Sequence, residues 1–158
     1  MSCYRLKLLI ASTLMICLAA FAVEAAQLPD DEVQALKDIA SALKKTSWDL
    51  YVDQCNEMGN GTVSTNDNVT CDCTYENNSV CHITSISWKR QSLQGTLPPD
   101  FVRLRYLQNL DLTLNYLDGT IPSQWGSMAN IRYIVVEFNQ LSGELPEELG
   151  NLSRLQRL

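Results

Sequence analysis

The stretch "LDLTLNYLDGTIPSQW", residues 110–125, runs a strand-like apolar alternation into an asparagine, a glycine, a proline and a tryptophan. Twenty-four positions earlier the same pattern stands as "ISWKRQSLQGTLPPDF", residues 86–101, and twenty-four positions later as "IVVEFNQLSGELPEEL", residues 134–149. No insertion interrupts this spacing. A fixed period of this length is the signature of a protein built from stacked repeats.

The units agree wherever a side chain would fill a core or the chain must turn. The aligned sets are Leu93, Leu117 and Leu141; Gly95, Gly119 and Gly143; Pro98, Pro122 and Pro146; Phe101, Trp125 and Leu149; and Leu104, Met128 and Leu152. Three full units and the opening of a fourth therefore share one design, and each is expected to form one coil of a stack.

One unit predicts a short strand followed by an irregular return. Leu110 and Leu112 alternate with polar residues, which indicates a strand with one buried and one solvated face. Asn115 follows the strand, where its amide can pair with backbone groups of neighbouring coils. Gly119 suits positive φ, and Pro122 suits a segment outside the sheet. Since one unit cannot bury its apolar face alone, stacking is required.

This motif resembles the plant-specific leucine-rich repeat over residues 83–158. The resemblance implies an α/β solenoid, a right-handed coil whose parallel β-sheet forms the concave face. It also implies a ladder of buried asparagines at Asn115 and Asn139. Gln91 stands where the first coil should carry its asparagine, a departure that fits an atypical terminal repeat.

Residues 1–25 have the pattern of a secretory signal peptide. Arg5 and Lys7 precede an apolar run over residues 8–22, and Val23 and Ala25 suit cleavage after Ala25. An uncleaved membrane anchor is the alternative, but the run is short for a span of ~20 residues. Cleavage removes two basic residues and one acidic residue, which changes the net charge from −6 to −7. An acidic chain argues against nucleic acid as a partner.

Residues 26–82 are predicted to form a cap that covers the first coil. The segment "PDDEVQALKDIASALKK" predicts a helix with Asp30 or Asp31 as its N-cap and Lys44 and Lys45 in its last turn. Its apolar stripe consists of Val33, Leu36, Ile39, Ala40 and Leu43, and Trp48 adds apolar bulk after it. Residues 56–78 are polar and predict a loop. Helix, tryptophan and cysteines follow one another as in the N-terminal caps of plant leucine-rich-repeat receptors, which this segment resembles.

Cys55, Cys71, Cys73 and Cys81 remain after signal cleavage, and an even number in a secreted chain predicts two disulfides with three possible pairings. We predict Cys55–Cys71 and Cys73–Cys81, although the neighbouring Cys71 and Cys73 could exchange partners. A metal site lacks support because His82 is the only histidine. The sequons predict N-glycosylation at Asn60, Asn68, Asn77 and Asn151.

No constellation of catalytic residues is recognisable, so this chain is not expected to be an enzyme or to bind a cofactor or metal. His82 is expected on the surface, and Asp30, Asp31 and Glu32 are interpreted as helix-start charges. Asp111 and Glu137 on neighbouring strands could form a catalytic carboxylate pair, but nothing would enclose them. A solvated binding surface is the better interpretation.

The concave face is where ligands of such solenoids bind. The predicted binding residues are Lys89, Asn109, Asp111, Thr113, Tyr133, Val135, Glu137 and Phe138, with Ser85, Ser87, Arg90 and Leu114 beside them. Exposed aromatic and apolar side chains there predict a contact patch. Lateral packing between coils is the alternative explanation.

The run from the C-x-C pair through "CHITSISWKRQSLQGTLPPDF" and "LDLTLNYLDGTIPSQW" resembles the start of plant receptor-like serine/threonine kinases that combine leucine-rich repeats with a malectin-like domain. The resemblance implies a module that enters the secretory pathway and lies on the outer face of the plasma membrane as part of a receptor, or otherwise in the apoplast. Its expected partner is a protein, peptide or glycan ligand or a co-receptor ectodomain. The membrane span and the kinase would belong to a part absent from this chain. A short secreted inhibitor, similar to polygalacturonase inhibitors, or a decoy is the alternative. Since the repeats stop midway through the fourth unit, an N-terminal fragment or a truncated product is expected.

Overall fold

The computed structural model describes residues 26–45 and 67–158. The predictions about the signal peptide, Trp48, Cys55 and Asn60 lie outside these residues. The helix α1 spans Asp30–Ala42, and the strands are β1 Asp67–Tyr75, β2 Val80–Trp88, β3 Gln94–Thr96, β4 Asn109–Asp111, β5 Tyr116–Asp118 and β6 Tyr133–Val135. Short 3-10 helices span Glu76–Asn78, Pro99–Arg103, Ser123–Ser127 and Glu147–Asn151.

A four-stranded sheet in the order β1-β2-β4-β6 forms the concave face. Strands β2, β4 and β6 are parallel, and Ile86, Leu110 and Ile134 lie side by side in their register. These three residues occupy the same position of successive repeats and are fully buried. The repeat period thus places equivalent residues directly beside one another, which confirms the predicted solenoid.

The opposite side of the first two coils carries a second, two-stranded parallel sheet that the sequence did not predict. Strand β3 pairs with β5, so that Gly95 lies beside Leu117. Gly95 and Gly119 have φ values of 93° and 72°. Glycine is favoured at this repeat position because a side chain would be strained in this region of backbone space. Each proline of the repeat directly precedes an outer 3-10 helix.

The core runs between the two sheets and holds the aligned apolar residues. Trp125 and Phe101 are fully buried and meet edge to face, with ring centroids 5.6 Å apart. The Trp125 indole Nε1 donates a hydrogen bond to the Pro98 carbonyl oxygen at 3.0 Å. Trp125 therefore packs against the unit before it, as stacking requires.

Helix α1 closes this core at the first coil, with Ala35, Leu36, Ile39, Ala40 and Leu43 buried against it. Its ends differ from prediction. Pro29 occupies the N-cap position, so that Asp30 and Asp31 are first-turn residues without a capping role. The helix ends at Ala42, before Lys44 and Lys45, because the chain turns away at Lys44 with φ of 52°.

The prediction of a loop over residues 56–78 is wrong for residues 67–75. Strand β1 covers Asp67–Tyr75 and pairs antiparallel with β2, and Val69 is buried opposite Ile86. Cys73 and Cys81 form a disulfide across this hairpin. Cys71 is disulfide-bonded as well, while its predicted partner Cys55 lies outside the described residues. The predicted boundary at residues 82 and 83 falls inside β2.

The close packing of the outer turns gives a prediction with an internal control. A Cβ on Gly126 would overlap the Glu148 carbonyl, with the carbonyl carbon 2.7 Å away, whereas one on Gly150 would meet nothing within 4 Å. Gly126→Ala should therefore lower the free energy of unfolding in urea by about 1–3 kcal/mol. Gly150→Ala, at the same repeat position, should stay within about 0.5 kcal/mol. Equal effects would show that the coils do not pack as described.

Candidate functional site: the concave face

A shallow concavity of about 350 Å³ lies on the open side of the four-stranded sheet. It is lined by Ser85, Ser87, Lys89, Asn109, Leu110, Asp111, Tyr133, Val135 and Arg157. Five of the predicted binding residues thus lie together. Thr113, Glu137 and Phe138 do not line the concavity, and Arg157 lines it although the sequence did not single it out.

Asp111 is the centre of the polar network on this face. Lys89 Nζ lies 2.8 Å from its carboxylate, and the Thr113 hydroxyl and N–H donate to it at 2.6 and 3.1 Å. Burial opposes ionisation, but the hydrogen bonds from Lys89 and Thr113 outweigh it and hold the pKa of Asp111 below its ordinary value. Asp111 is therefore a fixed anion bound to Lys89, which does not fit the carboxylate pair with Glu137 considered above.

The lowered pKa of Asp111 predicts an acid-dependent contribution to stability. A carboxyl with a depressed folded pKa stabilises the fold above its unfolded value of about 3.9, and this contribution is lost as pH falls through the folded value. Asp111→Asn should therefore weaken the pH dependence of urea midpoints below about pH 4. Glu144→Gln, at an exposed position, is the control. If the urea midpoint of Asp111→Asn fell at acid pH as steeply as that of the parent chain, the described network would be contradicted.

The third coil supplies the aromatic part of the face. Tyr133 is 40% exposed, and its hydroxyl donates a hydrogen bond to the Gln156 side-chain oxygen at 2.6 Å. Glu137 pairs with Arg157 at 2.7 Å. Phe138 is 71% exposed at the adjoining edge. Contact between coils thus fixes the Tyr133 hydroxyl, while most of the Phe138 ring stays open to solvent.

Leu114 and Phe138 share a backbone conformation that explains their exposure. Arg90, Leu114 and Phe138 occupy one position of three successive repeats and have φ of 53°, 60° and 57°. This left-handed conformation turns the chain out of the sheet directly before the asparagine position. The three side chains are exposed in consequence, and they form an edge of the face rather than its floor.

Asn115 lies behind this edge and binds two coils at once. It is 5% exposed, and its amide oxygen accepts hydrogen bonds from the Gln91 and Leu93 N–H groups at 3.0 and 3.1 Å. Its amide nitrogen donates to the Trp88 and Leu112 carbonyls, both at 2.8 Å. All these partners except Leu112 belong to the preceding coil, so Asn115 joins successive units.

Asn139 repeats this role, and the cap takes it over at the first coil. The Asn139 amide accepts from the Leu117 N–H at 3.1 Å and donates to the Leu112 carbonyl at 3.0 Å. At the equivalent position of the first coil, where Gln91 replaces the asparagine, the Gln91 side-chain oxygen accepts a hydrogen bond from Lys45 Nζ at 3.2 Å. Gln91 has one more methylene than asparagine, and it meets a cap residue where later coils meet another coil.

His82 does not lie on the surface as predicted. Its Nδ1 is 2.5 Å from the Glu32 carboxylate, and its side chain is 14% exposed. The ring stacks on Tyr106 at 3.7 Å, and Glu32 also accepts a hydrogen bond from the Ile83 N–H at 2.8 Å. Glu32 is therefore a buried link between α1 and β2 rather than a simple helix-start charge. Fifty positions separate it from His82, so no local pattern indicated this contact.

The described sequons occupy three different settings. Asn68 is half-buried within β1, Asn77 is exposed in the turn before β2, and Asn151 is exposed at the end of an outer 3-10 helix. Within residues 26–45 and 67–158, no group of histidine, cysteine or acidic residues has the arrangement of a metal site. In the same part of the chain, every helix is too short or too polar for a membrane crossing.

Comparison with known proteins agrees with the repeat. The family model described as Leucine Rich Repeat matches residues 106–128 and 130–152. Two probable leucine-rich repeat receptor-like serine/threonine-protein kinases of Arabidopsis thaliana are 45% identical over 103 residues and 42% identical over 98 residues. These matches cover 60% and 58% of this chain. The chain spans about a tenth of the length of both relatives, 10% in each case.

Solved structures show the same fold. The BIR2 ectodomain from Arabidopsis thaliana has a TM-score of 0.59 at 24% identity and covers 83% of this chain and 65% of its own. The ectodomain of the Arabidopsis receptor kinase GASSHO1/SCHENGEN3, solved with Casparian strip integrity factor 2, has a TM-score of 0.51 at 25% identity, covering 82% and 18%. Repeat spacing, fold and sequence similarity together identify a leucine-rich-repeat solenoid of the kind that forms the ectodomains of plant receptor-like kinases.

Proposed function

We propose that this chain is the first part of the extracellular recognition domain of a plant cell-surface receptor-like kinase, and that it binds an extracellular peptide, glycan or protein through its concave face. The observation that carries the proposal is the shared face itself. Hydroxyl, amide, charged and aromatic side chains from three successive coils line one open surface. The sequence similarity to receptor-like kinases supports the cellular setting.

The state of the side chains supports recognition rather than catalysis. Asp111 is already neutralised by Lys89, and the Tyr133 hydroxyl is already held by Gln156. A surface whose polar groups are fixed in advance loses little side-chain freedom on binding. Tyrosine is also enriched among the residues that dominate binding energy at interfaces. The similar GASSHO1/SCHENGEN3 ectodomain was solved with a partner, which supports an extracellular partner for this chain too.

Signalling would depend on segments outside this chain. The malectin-like domain, the membrane span and the serine/threonine kinase are expected to follow residue 158 in the longer product. Sequencing the transcript beyond the codon for Leu158 tests this directly. An open frame into further repeats, a span and a kinase supports the receptor. An immediate stop codon in every transcript would instead favour the secreted inhibitor or decoy.

Loss of the Tyr133 ring should weaken ligand binding. We expect Tyr133→Ala to lower affinity about tenfold or more, as truncation of an interface tyrosine commonly does. The purified chain would be screened by biolayer interferometry against synthetic secreted plant peptides and cell-wall oligosaccharides, and each hit retested with the variant. Glu147→Ala, exposed on an outer 3-10 helix, is the control. If the affinity for a ligand fell equally in Tyr133→Ala and Glu147→Ala, binding at the concave face would be contradicted.

A further inference from the structure

Strand β1 adds a sequon to the concave face. Asn68 lies directly opposite Ser87, and Thr70 directly opposite Ser85. Residues directly opposite each other on adjacent strands point to the same side of a sheet. Because Ser85 and Ser87 line the concavity, Asn68 and Thr70 belong to the same open side. The alternate residue Val69 is buried opposite Ile86, as this assignment requires.

The sheet register places Asn68 at the end of a row that crosses all four strands. The row continues through Ser87, Asp111 and Val135. Neighbouring strands are about 4.8 Å apart, so these residues lie roughly 5, 10 and 14 Å from Asn68. Any group attached to Asn68 would therefore stand beside the polar network and farther from the third coil.

We propose that Asn68 carries an N-linked glycan that covers the first-coil end of the concave face and confines ligand contact to the second and later coils. Thr70 completes the sequon, and the Asn68 Nδ2 donates only to its hydroxyl among described side chains, at 3.3 Å. The Asn68 amide nitrogen is thus not held by a hydrogen bond to any described core side chain. The restriction of ligand contact to the second and later coils rests on the function proposed above. The glycosylation of Asn68 and the covering of the first-coil end of the face do not.

The chemistry requires a lipid-linked oligosaccharide diphosphate as donor. The Asn68 Nδ2 forms a bond to the anomeric carbon of the sugar and loses one proton, while the bond from that carbon to the diphosphate oxygen breaks and the lipid diphosphate leaves. Since Asn68 is half-buried within a paired strand, transfer must precede the pairing of β1 with β2. Glycans at Asn77 and Asn151 would stand at a turn and on the outer side, away from the row.

Occupancy is tested on the full chain secreted from plant cells. Glycopeptide mass spectrometry should find a glycan on Asn68 in the parent chain and in Thr70→Ser, which keeps the sequon. Asn68→Gln and Thr70→Ala should both lose it. The Thr84 hydroxyl bonds the backbone oxygen of Thr70, so these substitutions leave that contact in place. An unmodified Asn68 in the secreted parent chain would overturn the proposal.

Coverage of the concave face by the glycan is tested without any ligand. The test compares two positions of the row that lie at different distances from Asn68. Ser87→Cys and Val135→Cys would each react with a maleimide carrying a long polyethylene glycol chain. In glycosylated protein we expect Ser87→Cys to react several-fold more slowly than in the Asn68→Gln background, and Val135→Cys to react equally in both. Asn77→Gln should change neither rate. Equal rates at Ser87→Cys, or slowing at both positions, would overturn the proposed coverage, and neither result would bear on ligand binding by the second and third coils.

Discussion

Trp125→Ala is expected to cost about 3–5 kcal/mol of the free energy of unfolding, the range for removal of a buried aromatic side chain. Trp125 is fully buried, packs edge to face on Phe101, and binds the Pro98 carbonyl. Alanine would leave a large cavity between two coils and an unpaired carbonyl. Since domains of this size are stable by about 5–15 kcal/mol, this loss would be a large fraction of the total stability.

Urea unfolding followed by far-ultraviolet circular dichroism measures this loss without relying on tryptophan emission. Trp125→Phe helps to separate the two contributions, because it keeps most of the apolar volume while it removes the hydrogen bond to Pro98. We expect the free energy of unfolding of Trp125→Phe to lie between those of Trp125→Ala and the parent chain. Tyr116→Ala, at a side chain 57% exposed, is the control. A Trp125→Ala cost below about 1 kcal/mol would contradict the stacked core.

Asn115→Ala should cost about 3 kcal/mol, because the Gln91 and Leu93 N–H groups and the Trp88 carbonyl would each lose a hydrogen bond, while the Leu112 carbonyl keeps its bond from Asn139. A buried group left without a hydrogen bond costs about 1–3 kcal/mol, and local rearrangement recovers part of the sum. Asn115→Asp should be no better, since its carboxylate would face the Trp88 and Leu112 carbonyls that now accept from the amide nitrogen.

Asn139→Ala is the matched comparison at the same repeat position. Asn139 is half-buried rather than buried, so water can replace some of its bonds. The urea midpoint of Asn139→Ala should therefore fall less than that of Asn115→Ala. Equal losses at the two positions would show that burial does not set the strength of the ladder.

The repeated part of the fold was predictable because a single period carries both its secondary structure and its core. Ile86, Leu110 and Ile134 could be placed side by side from their spacing alone, and positive φ at Gly119 followed from its position in the turn. The residues that line the concavity, except Leu110 and Arg157, were also predictable in this way, because outward positions alternate with buried ones along each short strand.

The parts without a period were not predictable. Strand β1 has only one buried apolar residue, Val69, among asparagine, threonine, aspartate and cysteine, so its composition resembles a loop. The Glu32–His82 contact joins residues 50 positions apart, which no local pattern reports. The pairing of Arg157 with Glu137 depends on the fourth unit reaching back to the third. In each case tertiary contact decides a structure that local sequence leaves open.

The asparagine ladder has a consequence for how order spreads along the molecule. Asn115 fastens the second coil to the first, Asn139 fastens the third to the second, and Lys45 fastens the first to the cap through Gln91. Each coil is thus hydrogen-bonded to its neighbours, and cooperativity is transmitted between nearest neighbours. In such a one-dimensional array, a substitution in the second coil should weaken the contacts on both of its sides, whereas one at an end of the array should weaken the contacts on one side only.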